Sequence, residues 1–227
     1  MLNSRGFTLV EILIALVIGT IILAAGYMAV MSGHQASTGI EQKISAQQDI
    51  RAALDIIATE ISMASYNPTG TNGLWVNPAC GAGAIANKGI QQATADGATL
   101  TVESDINENG SVNADPNELI TYSYDAANER ITRQAGCGGG AQSFLGDLAT
   151  VSARQRNVRV VNGTLGIPLF RYFDGNNALI NMPADIAKIR RIDITIAVQA
   201  TVPDVQGQTR SMVYSTSVVP RNHVVTQ

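Results

Sequence analysis

The hydrophobic and polar positions divide the chain into three parts. Residues 7–33 are almost continuously apolar, a run of about 25 residues that is long enough to cross the roughly 30 Å hydrocarbon layer of a membrane. From residue 35 to residue 66, apolar side chains recur at helical spacing among polar and charged ones. These positions are Ile40, Ile44, Ile50, Leu54, Ile57 and Ile61. The rest of the chain consists of short alternating runs separated by turn residues, which is typical of β-structure.

The first two parts are expected to form one long helix. If it is continuous to Tyr66, it contains about 60 residues and is about 90 Å long at about 1.5 Å per residue. Asn67 and Pro68 then end it, because a residue that precedes proline disfavours the helical conformation. The amphipathic half, residues 35–66, should have one face covered by the domain that follows.

The third part is predicted to be a β-rich domain. Residues 67–98 are rich in Gly, Asn, Pro and Ala and are expected to form a long loop region. Turn signals at residues 125–128 and 174–177 separate neighbouring runs. Strands are predicted at residues 99–103, 118–124, 129–133, 158–161, 169–173, 192–201 and 211–219. The fold class is therefore α+β, with a long N-terminal helix packed on an antiparallel β-sheet domain with long loops.

The N-terminal apolar segment has three interpretations: a cleaved secretory signal, a permanent anchor, or a helix that is kept after cleavage in front of it. A secretory signal has an apolar core of roughly 7–15 residues followed by a cleavage site, and this run is longer. A polar head ends at Arg5 and Gly6, Phe7 begins the apolar run, and Glu11 is its one carboxylate. An acid within a membrane-like helix is costly and indicates a function.

These residues resemble the class III signal of type IV prepilins. The resemblance implies that a membrane prepilin peptidase cuts after Gly6 and methylates the new N-terminal Phe7. It also implies that Glu11 pairs with the N-terminal amine of a neighbouring subunit. On this interpretation residues 1–6 are a leader peptide, 7–34 a transmembrane and assembly helix, 35–66 its amphipathic continuation, and 67–227 a globular pilin head in the periplasm.

Further segments resemble minor pilins of the PilW type. They are residues 47–66, 169–174, 189–196 and 220–222, and the first is also similar, more loosely, to J-type pseudopilins of type II secretion. The resemblance implies a structural subunit that joins other minor and major pilins in an assembly-priming or tip-proximal complex. Its partners would be those pilins, the inner-membrane assembly platform and the membrane before assembly. The alternatives are a pseudopilin, or a pilus-borne module for adhesion or DNA uptake.

Composition argues against other classes of function. The net charge of −3 and the low charged fraction of 15 % are unlike those of a nucleic-acid binder, so no such partner is expected. The only two histidines are His34, at the end of the apolar run, and His223, in the C-terminal tail, and neither suits a catalytic base in a cleft. The sequence therefore gives no argument for an enzyme.

The two cysteines, Cys80 and Cys137, are expected to form a disulfide. Export of the head would bring both into an oxidising compartment, where two cysteines in one domain usually pair. Two buried free thiols are the alternative. No Cys-x-x-Cys motif is present to indicate redox chemistry or haem attachment.

Residues 105–113 resemble the first nine positions of a calcium-binding loop, with oxygen-bearing side chains at alternate positions and a glycine at the sharp turn. The pattern predicts ligands from Asp105, Asn107, Asn109 and the Ser111 carbonyl. Pro116 stands where the closing acid belongs, which leaves Asp115 or Glu118 for that place if the loop exits differently. Ordinary turn chemistry explains such a string equally well. Calcium is the only cofactor that the sequence suggests.

Overall fold

The computed structural model describes residues 7–113, 115–146, 158–200, 209 and 211–223 of the 227-residue chain. Its first element is one unbroken helix, α1 (Leu9–Ser62), of 54 residues. No proline occurs before Pro68, so nothing in its sequence forces a kink. The predicted long helix with an apolar and an amphipathic half is confirmed.

The helix ends at Ser62, earlier than the predicted Tyr66. Ser65 adopts a left-handed backbone conformation with φ of 68°, which no α-helix can continue. Its N–H then bonds to the Glu103 carbonyl at 2.8 Å, in the β-domain, instead of to the preceding turn of the helix. A tertiary contact, rather than the Asn67-Pro68 pair, therefore sets the end of α1.

Two antiparallel sheets follow. The first has five strands in sequence order: β1 (Ile90–Ala93), β2 (Thr99–Glu103), β3 (Leu119–Asp125), β4 (Arg130–Ala135) and β5 (Gln142–Leu145). The predicted turn at residues 125–128 connects β3 to β4, whose register pairs Asp125 with Arg130. β1 corrects the prediction of an unbroken loop over residues 67–98, and β5 was not predicted.

The second sheet is built around β8 (Arg191–Ala200), which is paired on both edges. β9 (Ser211–Val218) pairs with β8 along one edge. β6 (Val158–Val160) and β7 (Phe170–Phe173) pair with different ends of β8, so they share its other edge. The second predicted turn, at residues 174–177, follows β7 and is closed by hydrogen bonds to Asp174.

One asparagine side chain fills the gap between β6 and β7. Asn162 opens the short helix α2 (Asn162–Leu165), is fully buried, and reaches the free edge of β8. Its Oδ1 accepts the Ala197 N–H at 2.8 Å, and its Nδ2 donates to the Thr195 carbonyl at 2.8 Å. The amide thus supplies the hydrogen bonds that a continuous strand would give β8 there.

A single hydrophobic core joins α1 to both sheets. The helix contributes the residues from Ala46 to Ile61 that face the domain, and it packs against β8, β9 and β5. Tyr122 and Phe170 are the largest fully buried side chains. The other face of the first sheet is covered too, because Thr101 and Glu103 are fully buried beside a segment that includes Leu74 and Val76. The fold is α+β, as predicted.

Candidate functional site

The N-terminal end of α1 is organised by Thr8 and Glu11. Thr8 is the N-cap, and the Glu11 N–H bonds to its Oγ1 at 3.3 Å. In return, Glu11 Oε2 accepts the Thr8 N–H at 2.8 Å and the Thr8 hydroxyl at 2.9 Å. This reciprocal capping box satisfies N–H groups that the first turn of a helix leaves free. Phe7, just before it, is 84 % exposed, and Gly6 lies outside the described residues.

The first half of α1 is apolar and exposed all round. Large hydrophobic side chains from Leu9 to Met31 are exposed, and Glu11 is the one charged residue between Phe7 and Gly33. Among the described residues, α1 is the one helix long and apolar enough to cross a membrane, by length and composition. Such a surface is too large to remain in water and needs lipid or other protein to cover it.

The exposed apolar surface continues beyond the membrane-length run. Ile40 and Ile44 are 60 % and 49 % exposed, whereas Ile50, Leu54, Ile57 and Ile61 are buried. The expectation that the head covers one face of residues 35–66 is confirmed from Ala46 onward and is wrong at Ile40 and Ile44. Because Ile40 and Ile44 are one helical turn apart, they form an apolar pair that the described part of the head leaves uncovered.

An ion pair fastens the C-terminal end of α1 to the first sheet. The Glu60 carboxylate on the helix meets the Arg133 guanidinium on β4 at 2.8 Å. Arg133 donates from both Nε and Nη2, and the Tyr122 hydroxyl on β3 also donates to Glu60. Burial and this carboxylate together raise the pKa of Tyr122. Helix and sheet are thus held by a polar network as well as by the core.

His223 also belongs to this end of the helix and not to an open tail, which corrects its predicted place. It is buried, its Nδ1 lies 2.9 Å from Ser65 Oγ, and its Nε2 lies 3.1 Å from the Ile186 carbonyl. Since a carbonyl only accepts, Nε2 donates to it and Nδ1 accepts from Ser65. Burial lowers the pKa of His223 to about 4, so the ring is neutral at physiological pH.

Ser65 and His223 have a structural role. Ser65 is itself buried and accepts the Gly89 N–H at 3.0 Å, and the Arg221 N–H bonds to the Ser62 carbonyl at 3.3 Å. The contacts tie residues 220–223 to the end of α1. A substrate would have to displace buried backbone bonds to reach the Ser65 hydroxyl, which argues against its use as a nucleophile.

The structure joins Cys80 and Cys137 by a disulfide, with their Cα atoms 5.4 Å apart. Cys80 lies in the segment that covers the outer face of the first sheet, and Cys137 lies between β4 and β5. The bond therefore fastens the covering segment to the connection between β4 and β5.

The four residues predicted as calcium ligands lie in the connection between β2 and β3. Asp105 is fully buried, whereas Asn107 and Asn109 are exposed. The described residues contain no group of three or more His, Cys, Asp or Glu side chains placed to hold a metal ion. Any ion here would depend on amide and carbonyl oxygens as well as on carboxylates.

The comparison with protein families gives one finding. The prokaryotic N-terminal methylation motif matches residues 1–27. The chain is pilin-like. This motif, the exposed apolar helix and the antiparallel β-domain together support a protein similar to a type IV pilin or a pseudopilin. No curated protein and no solved structure matches the chain.

Sequence reasoning missed several residues that position this pilin-like helix. The sequence gives only a weak indication that Glu60, Arg133 and Tyr122 contact one another. Charged residues usually face solvent and aromatic residues usually face the core, so the pattern does not predict a contact between them. Ser65 and His223 are 158 positions apart, so no local pattern links them. Asn162 follows a β-run directly, and a polar residue at a strand end is ordinarily a turn signal.

Proposed function

We propose that this protein is a minor type IV pilin of the PilW type, a structural subunit that joins other minor pilins in an assembly-priming or tip-proximal complex. The observation that carries the proposal is the surface of α1 from Phe7 to Met31, which is apolar, exposed and interrupted by a single carboxylate, Glu11. Lipid covers such a surface before assembly, and the helices of other pilins cover it afterwards. The prepilin-type motif at residues 1–27 supports the same sequence of events.

Processing would prepare this surface for docking. Prepilin peptidase would cut after Gly6 and methylate Phe7, which places a cationic amine next to Thr8. The hydrogen bonds from Thr8 both go to Oε2 of Glu11, so the second carboxylate oxygen stays available to an amine from another chain. Opposite charges that neutralise each other at the membrane are far less costly than either alone. The carboxylate would thus select another pilin's N-terminus as its partner.

Small residues on the helix fit this docking. Gly19, Gly26 and Gly33 lie in the exposed half, and a Cβ added at any of them would meet nothing within 4 Å. Packing against the head therefore does not require glycine at these positions, whereas close contact between helices favours such small residues. In this proposal the head stands in the periplasm with α1 as its single membrane anchor. The subunit then leaves the inner membrane through the assembly platform and enters the pilus outside the cell.

Incorporation of a Glu11→Ala variant tests the proposal. The variant and the unmodified protein would be expressed in a strain that lacks the chromosomal copy, and the sheared filament fraction would be compared with the membrane fraction by immunoblot. We expect at least a tenfold loss from filaments with unchanged membrane levels. Glu41→Ala, which removes an exposed carboxylate lower on the helix, is the matched control and should incorporate normally. Normal incorporation of Glu11→Ala would contradict the docking role.

Deletion of the gene separates this role from the two alternatives. Loss of all surface filaments in electron micrographs supports a priming subunit. Intact filaments with lost adhesion or DNA uptake support a binding module on the pilus. Intact filaments with a block in protein secretion support a J-type pseudopilin.

A further inference from the structure

The connection between β2 and β3 has a strong imbalance of charge. Between Lys88 and Arg130 the sequence has eight carboxylates and no lysine, arginine or histidine. Four of these carboxylates, Asp105, Glu108, Asp115 and Glu118, fall within fourteen residues of the connection. Folding gathers part of this negative charge in one place, which is unfavourable unless a cation balances it.

Asp105 lies at the centre of the loop. It is fully buried, and its carboxylate accepts the N–H groups of Asn109 at 3.0 Å and Gly110 at 3.1 Å. Gly110 has a φ of 74°, a left-handed conformation that lets the chain turn around the carboxylate. Thr69, from the segment after α1, adds a longer contact of 3.4 Å. The loop is therefore folded around an acidic side chain.

The amide side chains at alternate positions present their oxygens to the same turn. Asn107 Oδ1 accepts the Asn109 N–H at 3.0 Å, and Asn109 Oδ1 accepts the Ser111 N–H at 2.8 Å. Each hydrogen bond orients the amide, and each amide oxygen keeps a second lone pair. Val112, the next residue along, is fully buried and fixes the exit of the turn.

Glu118 is the observation that points to a ligand. It comes directly before β3, is only 2 % exposed, and folds back so that Oε1 accepts the Asn107 N–H at 3.0 Å. Its other oxygen, Oε2, is buried and has no hydrogen-bond partner. A buried carboxylate oxygen without a partner is costly, because carboxylates in protein interiors are otherwise paired or bound to a metal ion. Of the two acids that could replace Pro116 as the closing acid, Asp115 and Glu118, only Glu118 is buried.

We propose that this loop binds one calcium ion through Asp105, Asn107, Asn109, the Ser111 carbonyl and Glu118. The donors are all oxygens, of three kinds, which matches the preference of Ca²⁺ for six to eight hard ligands in adaptable geometry. Zinc and other transition metals favour His and Cys ligands, and this loop contains neither. Magnesium demands a stricter octahedron and gives up its water less readily.

The ion would connect three parts of the head. The Asp105 N–H bonds to the Tyr66 carbonyl at 2.9 Å, just after α1, and Glu118 directly precedes β3. Calcium would thus hold the end of the assembly helix, the β2–β3 loop and the first sheet together. The site does not depend on the proposed role in pilus assembly, and it would operate in a pseudopilin as well.

Calorimetric titration of the purified full chain in detergent with CaCl2 tests the site. We expect one ion per chain with a Kd of about 0.1–1 mM, the range of calcium sites in extracellular modules, and at least tenfold weaker binding of MgCl2. Glu118→Gln keeps the shape of the side chain and an acceptor for the Asn107 N–H, and it should weaken calcium binding at least tenfold. The matched control is Glu108→Gln, an exposed acid of the same loop that bonds to the Tyr66 hydroxyl and should bind within twofold of the unmodified protein.

Thermal unfolding followed by circular dichroism gives a second readout and reports folding of each variant. Calcium in excess should raise the Tm of the unmodified protein and of Glu108→Gln by several degrees over the value in EGTA, because it binds the folded state. The Tm of Glu118→Gln should rise by less at the same calcium concentration, because weaker binding stabilises the folded state less. The site is refuted if the unmodified protein shows neither saturable heat nor a Tm shift. Glu118→Gln binding like the unmodified protein, or equal affinity for MgCl2, would refute the assignment.

Discussion

Single buried polar side chains stabilise the head, and Asn162, which bonds to the edge of β8, is the clearest case. A substitution Asn162→Ala leaves the buried Ala197 N–H and Thr195 carbonyl without their partners. We expect the free energy of unfolding to fall by about 2–3 kcal/mol, the usual cost of buried unsatisfied groups. Urea unfolding of the full chain in detergent, followed by the fluorescence of the single Trp75, measures the change.

The matched control for Asn162 is Asn176, an exposed asparagine in the turn after β7. Asn176→Ala should change stability by less than about 0.5 kcal/mol, as surface substitutions usually do. If both variants lose the same amount, the hydrogen bonds to β8 are not what stabilises this edge.

Glu103 is the residue whose charge state should make stability depend on pH. Burial raises the pKa of its carboxyl from 4.5 to about 8, with the Val76 N–H acting in the opposite direction. Between those values the folded chain keeps a proton that the unfolded chain releases, so stability falls as the pH rises through this window. Glu103→Gln cannot titrate and keeps an acceptor for Val76. Its gain in stability should grow from about zero near pH 4.5 to about 3 kcal/mol at pH 7.

The difference between the two unfolding curves isolates Glu103 from other groups. His223 acts in the reverse direction, because burial lowers its pKa from the usual 6.5 to about 4. The unfolded chain therefore binds a proton that the folded chain does not, and stability falls as the pH drops below about 6.5. That contribution is present in both proteins and cancels. A gain from Glu103→Gln that does not vary between about pH 5 and pH 8 would show that the carboxyl titrates normally.

At the scale of elements, α1 has two halves with different partners. Ile57 is fully buried in the core, and Ile44 lies in the uncovered part of the same helix. Ile57→Ala should therefore cost about 2–5 kcal/mol of stability. Ile44→Ala should leave stability within about 0.5 kcal/mol, yet it should reduce incorporation into filaments if other pilins cover that surface. Urea unfolding and sheared-filament immunoblots of both variants measure the two effects. Equal losses of stability would contradict the boundary at Ala46.

The helices and strands also differ in how well they could be predicted from the sequence. The long helix and the strands with clear alternation were predictable, because their periodicity depends only on local positions. β1 and β5 were missed because each has four residues, and β1 places Gln91 and Gln92 between its apolar ends. The end of α1 was misplaced because it depends on a bond from Ser65 to Glu103, which lie 38 positions apart.

The candidate site divides in the same way. Gly6, Phe7 and Glu11 form a contiguous motif and were recognisable from the sequence alone. The sequence could not show which apolar positions of α1 are buried against the head. Helical spacing predicts an apolar face but not what covers it, as the exposed Ile40 and Ile44 show. The closing role of Glu118 needed the loop to fold back, and a proline at the expected position concealed it.

At the scale of the whole molecule, the chain is a folded β-domain at the end of a long apolar helix. The head is held by its core, by the Glu60 to Arg133 ion pair and by the disulfide between Cys80 and Cys137. The first half of α1 contributes nothing to that core. A chain that keeps such a helix exposed needs it for something outside its own fold, and the motif at residues 1–27 indicates assembly with other pilins.

Mass spectrometry of the mature chain, purified from the membrane of its natural host, tests this account most directly. We expect an N-terminal peptide that begins at Phe7 with one methyl group on its amine, and an intact apolar segment behind it. A mature chain that begins at Met1, or one that begins after Met31, would contradict the account, since neither could present a processed N-terminus beside Glu11.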